Sequence, residues 1–283
     1  MSGSTVSGGS IAQQFTGAAG ATLATFFGSG TTFTVLPTSG DFTESGPVVI
    51  GSPNSAFTLS GATAVADTST GGNSITTTTP SAVFAAPNDT ITSAAATTLF
   101  GASGGGLNQF TISGADSSIT GGTGSIVGTA SGSNSTLVGG TGISIFNVTG
   151  PNSLAVAGSA GITGINEQAS TGPETIATNP LGNSGTLVAI LGSGADTVLG
   201  GSGASTITGG SGNDVFAFIK GHAGGSEVII NFTGSDNLAF AGYGYTGTNL
   251  PTEAVGSLGD VITLSDGTTI LLAGVDHKIF SSS

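Results

Sequence analysis

Three consecutive nonapeptides, LGSGADTVL, GGSGASTIT and GGSGNDVFA, fill residues 191–217 without a gap. Each copy has Gly at its second and fourth positions and a large apolar residue at its eighth. Asp196 and Asp214 fill the sixth position of the first and third copies, whereas the second copy has Ser205. The last three residues of each copy predict a short strand whose middle side chain points into a coil. If each nonapeptide is half a coil, Asp196 and Asp214 lie on one edge and Ser205 lies on the opposite edge.

This pattern resembles the glycine- and aspartate-rich nonapeptide of the RTX family, in which a parallel β-roll binds calcium. Glycine turns can adopt positive φ and direct backbone carbonyls at a cation, and the carboxylate at position six supplies the oxygen ligand that calcium prefers. We therefore predict at least one Ca²⁺ between the first and third turns, and a weak or empty site on the Ser205 edge. The candidate ligands are Asp196, Asp214, Gly192, Gly194, Gly210, Gly212 and Asn213, followed by Ser193, Ser211 and Asp236.

The pattern continues in weaker form on both sides of this block. Upstream, Gly182 keeps the frame, but Leu187 stands where the acid would be. Downstream, Asp236 lies between the apolar segments 228–232 and 238–240, an arrangement similar to the sequence that closes many RTX blocks. Residues 260–272 then predict a β-hairpin with an Asp-Gly turn.

A fainter nine-residue rhythm runs through residues 112–156. GGTG occurs at Gly121 and again at Gly139, eighteen residues later, which is the length of one full coil. No sixth position in this frame carries a carboxylate, and Asp116 misses that position by one residue. We predict solenoid coils that keep the geometry of the roll but bind no metal.

Residues 1–110 are rich in Thr, Ser, Ala and Gly, with short apolar clusters separated by prolines. Alternation of Thr with apolar residues, as in residues 32–35, is typical of half-buried strands. One brief helix is expected over residues 11–23, although Gly17 and Gly20 weaken it. The four threonines at 76–79 are interpreted as a surface strand in preference to an ice-binding array.

These observations predict an all-β chain, with parallel β-roll or β-solenoid coils in the C-terminal half and a β-rich sandwich or solenoid before them. The predicted segments are a Thr/Ser/Gly-rich β region at 1–110, metal-free coils at 111–181, an RTX-like calcium roll at 182–240, and a hairpin cap with a tail similar to type I secretion signals at 241–283.

The charge balance narrows the expected partners. Fifteen acids against two lysines give a formal net charge of −13. Nucleic acids and anionic membrane surfaces require a cationic protein surface, so neither is an expected partner. The absence of cysteine excludes disulfides and thiolate metal sites. No run of about eighteen apolar residues is present for membrane insertion, and the first residues lack the basic and apolar regions of a Sec signal.

An enzyme is not expected, because His222 and His277 are isolated, without a nearby Ser-Gly nucleophile elbow or an HExxH neighbour. A Ser/Thr/Gly-rich β surface with almost no lysine leaves strand edges open to self-association. We predict a secreted calcium-binding structural protein that assembles head-to-tail with itself, outside the cell or at a bacterial surface, into a filament, a biofilm matrix fibre or a surface layer. The RTX resemblance implies export by an uncleaved C-terminal signal. The alternatives are a calcium-stabilised adhesin, a ligand-binding or ice-binding module, contact with cell-surface polysaccharide and, last, an enzyme.

Overall fold

The computed structural model describes residues 5–7, 13–28, 33–44, 47–51, 53–178, 185–222 and 224–280, with side chains from residue 47 onward. The chain divides into two compact units, Met1–Ser135 (unit 1) and Thr136–Ser283 (unit 2). The described residues form strands and turns without a helix, and the strands stack as parallel coils, so the predicted all-β solenoid is confirmed. No described helix is therefore available to cross a membrane.

Unit 1 contains thirteen described strands. They are β1 (Thr5–Ser7), β2 (Gln13–Gly28), β3 (Phe33–Glu44), β4 (Pro47–Ile50), β5 (Ala56–Ser60), β6 (Ala64–Asp67), β7 (Ser74–Thr77), β8 (Ser81–Phe84), β9 (Thr90–Ser93), β10 (Thr97–Phe100), β11 (Leu107–Ile112), β12 (Ser118–Thr120) and β13 (Ser125–Ala130).

Parallel pairing between strands two apart builds two stacks in unit 1. One stack contains β4, β6, β8, β10 and β12, and the other contains β3, β5, β7, β9, β11 and β13. A single coil cannot bury its apolar side chains, so each coil depends on its stacked neighbours for a core. The first stack aligns four side chains that are 0% exposed, namely Val65, Val83, Leu99 and Ile119.

Unit 2 contains fourteen described strands. They are β14 (Thr136–Val138), β15 (Ser144–Val148), β16 (Leu154–Val156), β17 (Ile162–Asn166), β18 (Thr175–Ala177), β19 (Thr186–Ile190), β20 (Thr197–Leu199), β21 (Ser205–Thr208), β22 (Val215–Ile219), β23 (Ser226–Ile230), β24 (Asn237–Ala241), β25 (Thr252–Gly256), β26 (Gly259–Thr263) and β27 (Thr269–Ala273).

Unit 2 repeats the same plan and ends in an antiparallel addition. Strands β14, β16, β18, β20, β22 and β24 form one parallel stack, and β15, β17, β19, β21, β23 and β27 form the other. Strand β26 pairs antiparallel with both β25 and β27. The apolar eighth positions of the nonapeptides come together inside, where Val198, Ile207 and Phe216 are 1–2% exposed.

The helix expected over residues 11–23 is wrong wherever the structure describes that segment. Residues 11 and 12 lie outside the described residues, and residues 13–23 belong to β2, which pairs in parallel with β3. Glycines at 17 and 20 lower the helix propensity of the segment. The hydrogen-bond ladder with β3 is an interaction between strands that the local sequence does not reveal.

Candidate metal centre

Four carboxylates lie on one edge of unit 2, each immediately before a strand of the same stack. Glu174 precedes β18, Asp196 precedes β20, Asp214 precedes β22 and Asp236 precedes β24. These strands pair in register, with Thr175, Thr197, Val215 and Asn237 aligned. The parallel register therefore brings the four acids into one column, which we call the acidic edge.

A ladder of hydrogen bonds connects the members of the acidic edge. The Glu174 N–H donates to Asp196 Oδ1 at 2.9 Å, and the Asp196 N–H donates to Asp214 Oδ1 at 3.1 Å. The Asp214 N–H donates in turn to Asp236 Oδ1 at 3.0 Å. Each carboxylate thus fixes the turn that precedes it in the chain, and Asp214 also accepts from the Gly210 N–H at 3.1 Å.

The turns stack so closely that none of the four predicted glycines has room for a side chain. A Cβ on Gly210 would collide with the Gly192 carbonyl oxygen, and a Cβ on Gly212 would collide with the Gly194 carbonyl oxygen. A Cβ on Gly192 or Gly194 would likewise collide with the carbonyl oxygen of Ser170 or Gly172. Neither Gly210 nor Gly212 has positive φ, nor do Gly192 and Gly194. The predicted reason for these glycines, access to positive φ, is therefore wrong, and close approach of successive turns replaces it.

The structure brings together only some of the predicted ligand side chains. Asp196 and Asp214 are both 0% exposed and are adjacent on the acidic edge, and Asp236 follows them at 9% exposed. The side chains of Asn213, Ser193 and Ser211 are exposed, outside this column of buried carboxylates.

Sequence reasoning missed two acids that lie beside Asp196. Like Asp196 and Asp214, Glu174 lies immediately before a strand. It is 22 residues before Asp196, however, whereas Asp196 and Asp214 are 18 residues apart. Glu167 begins the turn 167–174, which has eight residues where the turn 191–196 has six. A search for acids immediately before short apolar strands would have found Glu174, whereas no local signal identifies Glu167.

Glu167, Glu174 and Asp196 form a buried three-carboxylate cluster. One oxygen from each lies within 4.8 Å of the other two, and the three residues are 0–3% exposed. Neither oxygen of Glu167 receives a hydrogen bond, and Glu174 Oε2 and Asp196 Oδ2 are also without a partner. Buried carboxylates without partners are costly, so the cluster is suited to a hard cation with oxygen ligands.

Burial dominates the electrostatics of the cluster. Desolvation, followed by the charges of Asp196, Glu174 and Asp214, raises the pKa of Glu167 to about 9. Desolvation also raises the pKa of Glu174 to about 7 and raises that of Asp214. Each shift favours the protonated form, so without a cation the cluster retains protons that a bound cation would displace.

The opposite edge of unit 2 carries a single buried acid. Leu187, Ser205 and Glu227 align there in register, while Gly182 of the weak upstream repeat lies outside the described residues. Glu227 is 1% exposed, neither of its carboxylate oxygens has a partner, and burial raises its pKa to about 8. The prediction of a weak or empty site on this edge used Leu187 and Ser205 and did not include Glu227.

Three turns in the coils predicted to bind no metal end in a serine immediately before a strand. In each of them, which we call the serine turns, the serine hydroxyl donates to the carbonyl of a glycine three residues earlier. The pairs are Ser117 with Gly114, Ser135 with Gly132 and Ser153 with Gly150, all at 2.8 Å. The residue before each serine has positive φ, between 57° and 59°, and these residues are Asp116, Asn134 and Asn152.

Comparison with known proteins finds one match. Residues 190–218 match the family model described as RTX calcium-binding nonapeptide repeat (4 copies), whereas no curated protein and no solved structure matches. RTX repeats on a β-solenoid fit a calcium-binding protein of the secreted type. The matched segment contains Asp196 and Asp214 but neither Glu167 nor Glu174. Residues 190–218 are therefore a block of RTX-type calcium-binding nonapeptide repeats, built into the β-solenoid of unit 2.

Proposed function

We propose that this chain is a secreted, non-catalytic, calcium-binding structural protein that self-assembles outside the cell into a filament, matrix fibre or surface layer. The observation that carries the proposal is a solenoid with four unpartnered carboxylate oxygens buried at one edge and an uncharged outer sheet face that exposes Ile and Val side chains among Thr and Asn. The first feature requires a cation for stability, and the second is suited to contact with another copy of the chain.

Calcium stabilises the fold outside the cell, where assembly takes place. The acidic edge places Glu174, Asp196, Asp214 and Asp236 in one column, where their charges repel one another in the absence of a cation. Sites of modest affinity fill at the millimolar calcium found outside cells. We infer that unit 2 is weakly stable during export and becomes stable after it.

The apolar face lies on the outside of the stack that contains β15, β17, β19 and β23. Its five large side chains are between 40% and 49% exposed, although they lie in regular strands. None of the outward-facing residues of these strands is charged, because Glu227 points inward. An exposed apolar surface of this kind is typical of an interaction site. We define the apolar face by Ile145, Ile162, Val188, Ile190 and Ile230.

The net charge explains why assembly should depend on calcium. At −13, copies of the chain repel one another. Each bound Ca²⁺ adds two positive charges, less the protons that it displaces, while it orders the turns. Among the described strands, β24 pairs along its length with β22 alone, and we propose that a head-to-tail contact adds a strand at its other edge.

The proposal includes a route of export. RTX repeats suggest an extracellular protein, and we propose that residues 241–283 act as an export signal that is not cleaved.

The proposal also includes contact with cell-surface polysaccharide. Nucleic acid is not a proposed partner, because the chain has two lysines against fifteen acids.

Electron microscopy of negatively stained protein, with calcium and with excess EGTA, tests the proposal. We expect filaments or sheets with calcium and dispersed particles with EGTA. The variant Ile145→Lys/Ile190→Lys should bind calcium normally but fail to assemble. Leu154→Lys is the matched control, because Leu154 is 36% exposed on β16, which belongs to the other stack of unit 2. Dispersed wild-type particles in both conditions would contradict self-assembly and favour a calcium-stabilised adhesin or binding module.

A further inference from the structure

A turn outside the nonapeptide block supplies two of the three carboxylates in the buried cluster. Glu167 and Glu174 stand at the two ends of the turn 167–174, and Asp196 ends the following turn of the same edge. The family match begins at residue 190, so the repeat motif accounts for Asp196 alone. Glu167 takes the first position of its turn, which the buried Leu191 takes in the following turn, so an acid stands here where the repeat block has an apolar side chain.

The hydrogen bonds of the cluster leave four oxygens free. Ser170 Oγ donates to Glu174 Oε1 at 2.6 Å, and the Glu174 N–H donates to Asp196 Oδ1 at 2.9 Å. Both oxygens of Glu167, Glu174 Oε2 and Asp196 Oδ2 have no partner, although Glu167 and Asp196 are 0% exposed and Glu174 is 3% exposed. Native structures rarely leave so many buried polar atoms unsatisfied in one place.

We propose that Glu167, Glu174 and Asp196 bind one Ca²⁺ in a site that the nonapeptide motif does not encode. The inference rests on the proposed function only in taking calcium as the ion of unit 2. The ion lies between the turns 167–174 and 191–196 and joins the RTX block to the coil before it. The acidic edge therefore binds calcium one turn further toward the N-terminus than the repeats predict.

Size, ligand type and burial select calcium for this site. Calcium–oxygen distances of about 2.3–2.6 Å place ligands on opposite sides of the ion up to about 5 Å apart, which accommodates oxygens within 4.8 Å of one another. Three carboxylates without nitrogen or sulfur ligands favour a hard cation. Magnesium usually keeps several water ligands, whereas these side chains are almost completely buried.

Calcium titration of the full chain by calorimetry, after EGTA treatment and dialysis, tests the site with Glu167→Gln. Glutamine keeps the size of the side chain and removes its charge. We expect the variant to bind one fewer Ca²⁺, or to bind one with at least about tenfold lower affinity. In EGTA its melting temperature should equal or exceed that of the wild type, because an unpartnered carboxylate is gone, whereas in calcium it should fall below the wild type.

Glu227→Gln is the matched control, since Glu227 is 1% exposed and equally without partners but lies on the opposite edge. It should leave the calcium stoichiometry unchanged. Glu174→Gln provides a second variant at the site and should reproduce the loss. Unchanged stoichiometry and affinity in both site variants, or the same loss in the control, would overturn the assignment. A wild-type chain that binds no calcium would overturn this site and the proposed function together. Because assembly is not the readout, absence of filaments bears on the proposed function alone.

Discussion

The serine turns and the turns of the acidic edge have a polar side chain at the same place before a strand, but one type uses a neutral hydroxyl and the other a carboxylate. In the serine turns, the hydroxyls of Ser117, Ser135 and Ser153 donate to a glycine carbonyl of the same turn. In the acidic turns, Asp196 and Asp214 accept from the backbone N–H of the turn before. Ser117 Oγ likewise accepts from the Thr97 N–H of the turn before at 3.1 Å, so the carboxylate, and not the link between turns, distinguishes the acidic turns.

The difference also decides which turn needs a cation. A serine hydroxyl donates to a backbone carbonyl oxygen that a metal ion could otherwise bind, and the hydroxyl adds no charge. The acidic turns keep carboxylate oxygens unbonded, as at Asp196 Oδ2 and Glu174 Oε2. Burying these atoms without a partner is unfavourable. We therefore expect one solenoid plan to give coils whose stability is independent of metal and coils that calcium stabilises.

The largest expected effect comes from replacing the closely stacked glycines that both turn types share. Gly210→Ala places a Cβ against the Gly192 carbonyl, and Gly132→Ala places one against the Gly114 carbonyl. Each should reduce the free energy of unfolding by about 3 kcal/mol, with and without calcium, as measured by urea denaturation. Gly234→Ala is the control, because a Cβ there contacts nothing within 4 Å. Wild-type stability in either stacked variant would show that the turns are not tightly packed.

Removing one charge from the acidic edge should separate the two turn types. The Asp196 and Gly210 N–H groups donate to different oxygens of Asp214, so Asp214→Asn keeps an acceptor for only one of them and also weakens calcium binding. We expect the calcium-dependent part of the stability to fall by about 3 kcal/mol, the value for one site well above its dissociation constant, and the stability in EGTA to fall by about 1 kcal/mol with the lost hydrogen bond.

Asp89→Asn in unit 1 is the matched control for that substitution. Asp89 is also 0% exposed, and its two oxygens likewise accept from two backbone donors, the Asn73 N–H at 2.9 Å and the Ala86 N–H at 2.8 Å. Its replacement should not alter the response to calcium. If both variants lost the same amount of calcium stabilisation, the acidic edge would have no special role.

The pH dependence without calcium should follow the buried carboxylates of unit 2. Glu167 and Glu227 have pKa values raised to about 9 and about 8 from an ordinary value of 4.5. Below pH 4.5 the two glutamates are protonated in both the folded and the unfolded chain. Between pH 4.5 and the raised pKa, the folded chain holds protons that the unfolded chain has lost, so the free energy of unfolding falls as pH rises. We expect the melting temperature in EGTA to decrease steadily from pH 5 to pH 9.

Saturating calcium should flatten or reverse that decrease, because the ion replaces the protons at Glu167. Parallel thermal melts in calcium and in EGTA across this pH range provide the measurement. An EGTA series in which stability rises with pH would contradict the assignment of these acids as buried and unpaired.

The smallest expected effect is the loss of one serine hydrogen bond. Ser135→Ala removes the donor to the Gly132 carbonyl at 2.8 Å. The cost should be about 1 kcal/mol and should be the same in calcium and in EGTA. A calcium-dependent loss at Ser135 would mean that the serine turns also depend on the ion.

The nonapeptide spacing was sufficient to predict the column of Asp196 and Asp214, because an eighteen-residue period returns each acid to the same edge. The same period predicted the coils of the serine turns. Glu174 was missed because its coil has 22 residues, so the acid falls outside the frame. Glu167 was missed because it aligns with Leu191, at the first position of a turn, where the repeats have no acid. The strand at residues 13–23, expected as a helix, is likewise stabilised by a partner strand.

Hydrogen–deuterium exchange of the intact wild-type chain, in millimolar calcium and in EGTA, tests the central claim most directly because it reads the two turn types separately. We predict that calcium strongly slows exchange at residues 167–174 and 191–196, where carboxylate oxygens lack partners, and at residues 209–214, which Asp214 joins to the turn before. Residues 114–117 and 132–135 of unit 1, which contain serine turns, should exchange equally in both conditions. Equal protection of both sets by calcium, or no change in the acidic turns, would contradict the account.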